Sequence, residues 1–138
     1  MPASTRFIVL TNMSSAAVLD RETGLVWEQS PDGVDQYDLP NAHNHCNQLT
    51  TGGRLGWRLP TVQELGSLVD PTQSLPALPS GNPFINVQSG DYWSATTSGF
   101  SASQAWYVGF DYGYVNYAGE GSHRYAWCVR SGKGVDVQ

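Results

Sequence analysis

The aromatic residues of this chain are concentrated in its second half. Eleven of the sixteen lie between Tyr92 and Trp127, a stretch of 36 residues with only three charged side chains. Over the 138 residues of the whole chain, 14% are charged and 12% are aromatic. This composition excludes intrinsic disorder, which requires high charge and few aromatic residues. The length suits one domain with a core of its own, so we expect a single domain over residues 1–138.

The second half has the period of β-strands. Two alternating sets share the segment 106–111: Trp106, Val108 and Phe110 on one side, and Tyr107, Gly109 and Asp111 on the other. The alternation predicts a strand whose first set faces the core and whose second set faces outward. A return strand is predicted over 114–117 and a last strand over 125–130, with Val115 and Cys128 also facing inward.

The first half combines short strands with two helices. Short apolar runs at 7–10, 17–19 and 25–27 predict strands. The first helix is indicated by apolar residues at helical spacing behind the possible N-cap Asp38, namely Leu39, Ala42, Cys46 and Leu49. The second helix is indicated by a capping box, Thr61-Val62-Gln63-Glu64, and should run for about two and a half turns before Asp70-Pro71.

A proline-rich segment separates the two halves. Residues 71–90 contain four prolines, and we expect an ordered surface loop that Phe84 and Ile85 attach to the core. The predicted fold class is therefore α+β, with two helices packed on short antiparallel sheets. We divide it into a scaffold over 1–90 and a candidate display region over 91–131.

Charge and hydropathy restrict the partners. The net charge is −5, the pI is near 4.9 and the seven basic residues are scattered, so nucleic acid is not an expected partner. No apolar run approaches the ~20 residues that span a bilayer, so membrane insertion is not expected either. The first residues contain no apolar segment of signal-peptide length. The location is left open between a phage particle and export by a route that the sequence does not show.

Several short motifs of the sequence occur in an order typical of one bacterial and phage family. They are Thr23-Gly24-Leu25-Val26-Trp27, the helix with Cys46, Trp57-Arg58-Leu59-Pro60-Thr61, Glu64-Leu65, Tyr92-Trp93-Ser94-Ala95-Thr96-Thr97, Ala105-Trp106-Tyr107-Val108 and Cys128-Val129-Arg130. Over roughly residues 16–132 the chain resembles the Lcl C-terminal domain family. The resemblance implies a C-type-lectin-like fold, of the branch that includes formylglycine-generating-enzyme-like domains.

The stretch from Trp93 to Arg130 is also similar to the variable regions of proteins diversified by retroelements. In those proteins, replacement of adenines during error-prone reverse transcription yields Tyr, Asn, Ser, Asp, Gly and His codons, and these residue types are abundant here. The resemblance implies a binding module for an unknown protein or glycan ligand. Its expected contact residues are Tyr107, Gly109, Asp111, Tyr112, Tyr114, Asn116, Tyr117, His123, Tyr125 and Trp127. Of these, we expect Tyr107, Asp111, Tyr114 and Asn116 to be more than one-third exposed on one surface.

Tyrosine and tryptophan suit this role because they offer a large contact area with few rotatable bonds, as in antibody paratopes. The alternative is an adhesin or structural domain of the same fold whose tyrosines are not diversified and form an ordinary sheet surface.

The two cysteines allow three interpretations. Cys46 and Cys128 are compatible with a disulfide, with two buried thiols or with part of a metal site. The family resemblance implies that the pair is close, with Cα atoms within about 7 Å.

Metal binding and catalysis are not expected. His43 and His45 point about 200° apart on a helix and cannot chelate one ion together, whereas His43 with both cysteines is a weak alternative. In the favoured interpretation, His45 faces solvent and His43 is partly buried. The calcium motifs of sugar-binding lectins do not occur in the sequence, and no nucleophile elbow is present. We predict neither cofactor nor enzyme activity, and we expect Arg58 and Arg130 to pair with carboxylates such as Glu64 or Asp70.

Overall fold

The protein is an α+β domain of two short antiparallel sheets and a few short helices, as seen in a computed structural model that describes residues 1–132. The elements in chain order are α1 (Ala3–Arg6), β1 (Phe7–Val9), β2 (Ala17–Asp20), β3 (Leu25–Glu28), α2 (Leu39–Asn47), α3 (Val62–Gly66), β4 (Asp91–Ser98), β5 (Ser101–Gly109), β6 (Val115–Gly119) and β7 (Val129–Ser131). Single 3₁₀ turns lie at Thr11–Met13 and Thr51–Gly53. The predicted class and the predicted first-half strands are confirmed.

The first sheet joins the two ends of the described chain. Its strand order is β1-β2-β3-β7, and all three pairings are antiparallel. The turn through Gly24 connects β2 to β3, and Gly24 has a φ of 76°, which only glycine adopts readily. Trp27 on β3 lies opposite Val129 on β7.

The second sheet is the meander β4-β5-β6, with β6 at its edge. The pairing of β4 with β5 shifts register between Trp93 and Thr97. The predicted last strand over 125–130 is shorter than expected and begins at Val129. The residues before Val129 bind to both sheets instead, because Tyr125 accepts from the N–H of Trp93 and Cys128 donates its N–H to Glu28.

Both predicted helices begin where their caps place them. Asp38 accepts the N–H of Asn41 at 3.0 Å, and α2 buries Leu39, Ala42 and Cys46 as predicted. At α3, Thr61 and Glu64 form both hydrogen bonds of the capping box. This helix is shorter than predicted because the chain tightens after Gly66, where hydrogen bonds between residues three apart replace the helical pattern.

No pattern in the sequence predicted α1, whose last residue, Arg6, links it to β2 and to the segment after α3. Arg6 binds both oxygens of the buried Asp20 on β2 at 2.9 Å and donates to the carbonyl of Ser67 beyond α3. Bidentate pairs of this kind fix geometry as well as adding energy. The hydrogen bond to Asp20 raises the pKa of Arg6.

The proline-rich segment is attached by Phe84 but not by the side chain of Ile85. The Phe84 ring is buried and packs edge-on against Phe7 and Trp127, with ring centres 5.1 and 4.9 Å away. Ile85 is exposed, and its backbone N–H donates to the carbonyl of Gln29. The prediction for Ile85 was therefore wrong, because a backbone hydrogen bond attaches that residue and leaves its side chain in solvent.

The second sheet has core on both of its faces. Trp93, Ala105 and Tyr107 belong to one buried cluster, together with Cys46 of α2. The other face contributes Tyr92 and Val108 to a second buried cluster; Leu65, Leu68 and Trp127 belong to it as well. This covering of both faces decides which aromatic residues remain exposed.

Candidate functional site

Tyr107 is a core residue, contrary to the predicted display role. It is 9% exposed, its ring lies beside Trp93, and the guanidinium of Arg124 covers it. The alternation along β5 is present, but both faces of this strand are packed, so period alone could not identify the outward face. Gly109 is buried as well, and the Tyr114 ring occupies the place that a side chain there would take.

The predicted display role of Trp127 is also wrong. This residue is fully buried among Trp27, Phe84 and Phe110, and its indole N–H donates to the carbonyl of Glu28 at 2.9 Å. The strand prediction failed here because the residue lies in the irregular segment that packs between the sheets.

Two further residues of the predicted contact set are only partly exposed. Tyr125 is half-buried against Tyr92, with ring centres 5.3 Å apart. Asp111 is half-buried as well, and its carboxylate accepts the N–H of Tyr112.

The other predicted contact residues are exposed but do not share one face. Tyr112 is 65% exposed and Tyr114 is 41% exposed, and Asn116, Tyr117 and His123 are exposed too. Adjacent residues of a strand point to opposite faces, so Asn116 and Tyr117 of β6 face opposite sides of the sheet. Of the four residues expected on one exposed surface, Tyr114 and Asn116 are exposed, whereas Tyr107 is buried and Asp111 is half-buried, so that surface is not formed as predicted.

A different apolar surface lies on the sheet face that carries Tyr117. We call Phe100, Trp106, Val115 and Tyr117 the outer patch. Trp106 pairs with Tyr117 across β5 and β6, and the Tyr117 ring lies 5.1 Å from that of Trp106 and 5.3 Å from that of Phe100. Phe100 is 77%, Val115 49% and Tyr117 36% exposed, while Trp106 is half-buried.

The sequence interpretation missed this patch because it placed Trp106 and Val115 in the core. Phe100 lies in the turn that joins β4 to β5, and an apolar aromatic next to Gly99 in a turn was the signal available for it.

Tyr114 is held in a fixed orientation at the sheet edge. Its hydroxyl donates to Asp91 at 2.6 Å, and this hydrogen bond raises the pKa of Tyr114. Because its ring lies against Gly109 and beside Tyr107, Tyr114 and the outer patch belong to opposite faces.

An open polar cleft of about 410 Å³ lies along the exposed side of α2. Most of its lining side chains are neutral and polar: Gln36, Tyr37, Asp38, Asn41, Asn44, His45, Gln48 and His123. It brings His123, a predicted contact residue, close to the helix that carries Cys46.

Cys46 and Cys128 form a disulfide that joins α2 to the segment before β7. Their Cα atoms are 5.4 Å apart, within the expected distance. This settles the three sequence interpretations in favour of the disulfide for the protein in this state.

Glu28 is a buried carboxylate beside that disulfide. One of its oxygens accepts the N–H of Cys128 at 2.8 Å. Burial raises the pKa of Glu28 to about 7, the hydrogen bond from Cys128 opposes that rise, and nearby Asp32 adds to it.

The side chain of His45 on α2 points toward Glu28 and Cys128. The prediction that His45 faces solvent was therefore wrong. The His45 ring stacks on Tyr37 at 4.8 Å, and Nδ1 lies 3.4 Å from the Tyr37 hydroxyl. That hydroxyl donates to Asp32 at 2.7 Å. Within residues 1–132, the buried Nε2 of His45 has no hydrogen-bond partner. His43 is half-buried, as expected.

The predicted ion pair at Arg58 is confirmed. Arg58 binds both carboxylate oxygens of Glu64 at 2.7 and 2.8 Å, and this contact lowers the pKa of Glu64. Arg130 instead donates to the backbone carbonyl of Leu55. The contact between Arg58 and Glu64 is a structural link, since the backbone of Arg58 pairs with Val129 and Glu64 caps α3.

These features define a small disulfide-linked α+β domain with an exposed aromatic patch on one sheet. The family model of the Lcl C-terminal domain matches residues 16–130, and the chain belongs to this family. No curated protein matches the chain. Among the described residues, no helix is long and apolar enough to cross a membrane.

Proposed function

We propose that this domain is a binding module whose ligand contacts the outer patch. The observation that carries the proposal is the exposure of Phe100, Val115 and Tyr117, which together with Trp106 lie on one face of one sheet. A contiguous cluster of exposed apolar side chains is typical of an interaction site. Aromatic residues are also enriched in the cores of protein interfaces.

The sparse charge around the patch supports the same function. Between Tyr92 and Gly119 the sequence has one charged residue, Asp111. Charged residues are depleted at interface cores because their desolvation opposes binding. The ligand we propose is a protein or a glycan that presents an apolar surface, and not a nucleic acid.

For the fold we propose the C-type-lectin-like class, in the branch of formylglycine-generating-enzyme-like domains. The features that support it are the sheet shared by the first strands and β7, the bridge between α2 and the last segment, and the meander that carries the patch. The word lectin refers to the fold here, and the proposed binding needs no calcium.

We further propose that exposed residues of the display region, on both faces of the second sheet and beside α2, are diversified, as in the variable proteins of diversity-generating retroelements. Tyr112, Tyr114, Asn116, Tyr117 and His123 are exposed and have residue types that adenine-directed mutation produces. The buried Tyr107 and Trp127 are no longer part of the proposed contact set.

The gene neighbourhood tests diversification. We expect a reverse transcriptase gene and a template repeat that differs from this gene only at adenines. The differences should fall at the codons of exposed residues such as Tyr112 and Asn116, and spare those of Tyr107 and Trp127. A locus without a template repeat would favour the alternative, a fixed adhesin or structural domain.

Binding itself is tested with labelled protein on arrays of immobilised glycans and purified cell-surface proteins. We expect Phe100→Ser and Tyr117→Ser to weaken binding to the captured ligand about thirtyfold, because truncation of an interface anchor costs about 2 kcal/mol or more. Leu55→Ser is the matched control for Phe100→Ser, since Leu55 is 73% exposed, close to the 77% of Phe100, but lies outside the patch. Unchanged affinity in both patch variants would contradict the proposal.

A further inference from the structure

The disulfide, the buried Glu28 and the half-buried His45 form a cluster that the proposed binding surface does not use. A carboxylate oxygen of Glu28, a ring nitrogen of His45 and the sulfur of Cys128 all lie within 4.8 Å of one another. The sulfur of Cys46 is bonded to that of Cys128. The cluster draws on β3, α2 and the segment before β7, so only the folded chain assembles it.

The free nitrogen of His45 is the second observation that points to a ligand. Tyr37 uses its only proton to bond Asp32, so its oxygen can only accept a hydrogen bond from Nδ1 of His45. In the neutral imidazole this leaves the lone pair on Nε2, the buried atom that has no partner among the described residues. Metal-bound histidines are oriented in the same way, by a hydrogen bond from the other ring nitrogen.

We propose that reduction of the disulfide turns this cluster into a Zn²⁺ site, with the sulfurs of Cys46 and Cys128, Nε2 of His45 and one oxygen of Glu28 as ligands. Two sulfurs, one imidazole and one carboxylate are a donor set that suits tetrahedral zinc and disfavours magnesium and calcium. The proposal does not depend on the outer patch or on its ligand.

The chemistry balances with a dithiol as the reductant. The dithiol transfers two electrons and two protons to the disulfide, giving two cysteine thiols and one oxidised reductant. Zn²⁺ then binds both sulfurs and releases the two thiol protons to solvent. In the oxidised protein the sulfurs are bonded to each other and are not thiolate ligands, so the site exists only after reduction.

The geometry requires only local movement. Zinc bonds of about 2.0 to 2.3 Å place tetrahedral ligand atoms about 3.3 to 3.8 Å apart. The separations among the Glu28 oxygen, the His45 nitrogen and the Cys128 sulfur are at most 4.8 Å, so side-chain shifts of about 1 Å bring these three atoms into range. The Cys46 sulfur starts bonded to that of Cys128 and is free to separate from it after reduction. The open polar cleft is lined by His45, so one of the proposed ligands lies next to solvent.

The test uses the whole chain, freed of metal, reduced with a phosphine in the absence of oxygen and titrated with Co²⁺ as a spectroscopic probe. We expect one equivalent to give a sulfur-to-cobalt charge-transfer band and the intense visible bands of tetrahedral cobalt, with Zn²⁺ displacing it. The oxidised protein should give neither band. A reduced, folded protein that gives neither band would overturn the proposal.

Variants distinguish the site from two thiols that bind metal on their own. His45→Ala and Glu28→Gln should each weaken binding by about tenfold or more, and Tyr37→Phe should weaken it less, as loss of an orienting partner does. His43→Ala, on the same helix but outside the cluster, is the control and should bind as the wild type does. Unchanged affinity in His45→Ala would overturn the proposed site. Unchanged affinity in Glu28→Gln would show that Glu28 is not a ligand and would overturn the proposed four-ligand set.

Reduction also tests the proposal if it unfolds the protein. Because metal binding to the folded state stabilises that state, Zn²⁺ should restore the circular dichroism of the reduced chain or raise its melting temperature. The oxidised chain should show no such shift. A reduced chain that stays unfolded in excess Zn²⁺ would overturn the proposal.

Discussion

The guanidinium carbon of Arg124 lies 4.1 Å from the centre of the Tyr107 ring. This contact covers a tyrosine that the alternation along the strand predicts to be exposed. We therefore predict that Tyr107→Ala lowers the free energy of unfolding by about 3 kcal/mol or more, the range for loss of a buried aromatic ring. Loss of the cation–π contact adds to that effect. Urea denaturation of the oxidised protein measures it.

Tyr112→Ala is the matched control for Tyr107→Ala. Tyr112 is 65% exposed in the same sheet region, so its truncation should change the free energy of unfolding by less than about 0.5 kcal/mol. Equal losses in the two variants would show that the assignment of Tyr107 to the core is wrong.

What could be predicted from the sequence is what neighbouring residues decide. The starts of α2 and α3 follow from contacts within four residues, Asp38 to Asn41 and Thr61 to Glu64, so both positions were predictable. Which side chains of β5 are exposed could not be predicted, because residues distant in sequence cover both faces of this strand. Arg124 covers Tyr107 on one side of the strand. On the other side the cluster containing Leu65 covers Val108, while Trp106 is only half-buried.

The cluster around the disulfide shows the same limit. Glu28 accepts a hydrogen bond from Cys128, which lies 100 positions further along the chain. The orientation of His45 is set by Tyr37 and Asp32. Helical spacing predicted correctly that Cys46 faces the core, but it placed His45 in solvent. The stacking of His45 on Tyr37 turns its ring inward, and helical periodicity does not describe such a contact.

Removal of the disulfide should cost a large part of the protein's stability. The bridge closes a loop of 82 positions, for which the entropy of the unfolded chain predicts about 4 to 5 kcal/mol. We expect the double variant Cys46→Ala/Cys128→Ala to lose about this amount in urea denaturation. Reductant should destabilise the wild type and leave the variant unaffected. A wild type equally stable with and without reductant would contradict the prediction.

Acid should weaken the link between Arg58 and Glu64. The hydrogen bonds from Arg58, supported by the N–H of Thr61, hold the pKa of Glu64 below its value in the unfolded chain. The stabilisation is therefore fully present above the unfolded pKa, about 4.3, and is lost as pH falls through the folded pKa. Because Arg58 is partly exposed, its size is about 1 kcal/mol or less.

The comparison that isolates this effect is Glu64→Gln, which keeps an oxygen for the capping box but cannot ionise. Wild type and variant should differ in unfolding free energy at neutral pH, and the difference should shrink at a pH of about 3 or lower. A difference that does not change with pH would assign it to the cap alone.

The position of Tyr114 depends on the absence of a side chain at Gly109. A Cβ atom there would lie 2.5 Å from the ring carbon that bears the Tyr114 hydroxyl, so Gly109→Ala should push the ring outward and break its hydrogen bond to Asp91. That bond raises the pKa of Tyr114, so the pKa should fall toward the ordinary value of about 10. Titration by NMR of tyrosine labelled at the ring carbon measures the change. Gly119→Ala, which meets nothing within 4 Å, should leave the Tyr114 titration as it is, and an unaltered titration in Gly109→Ala would show that the ring is not held against this glycine.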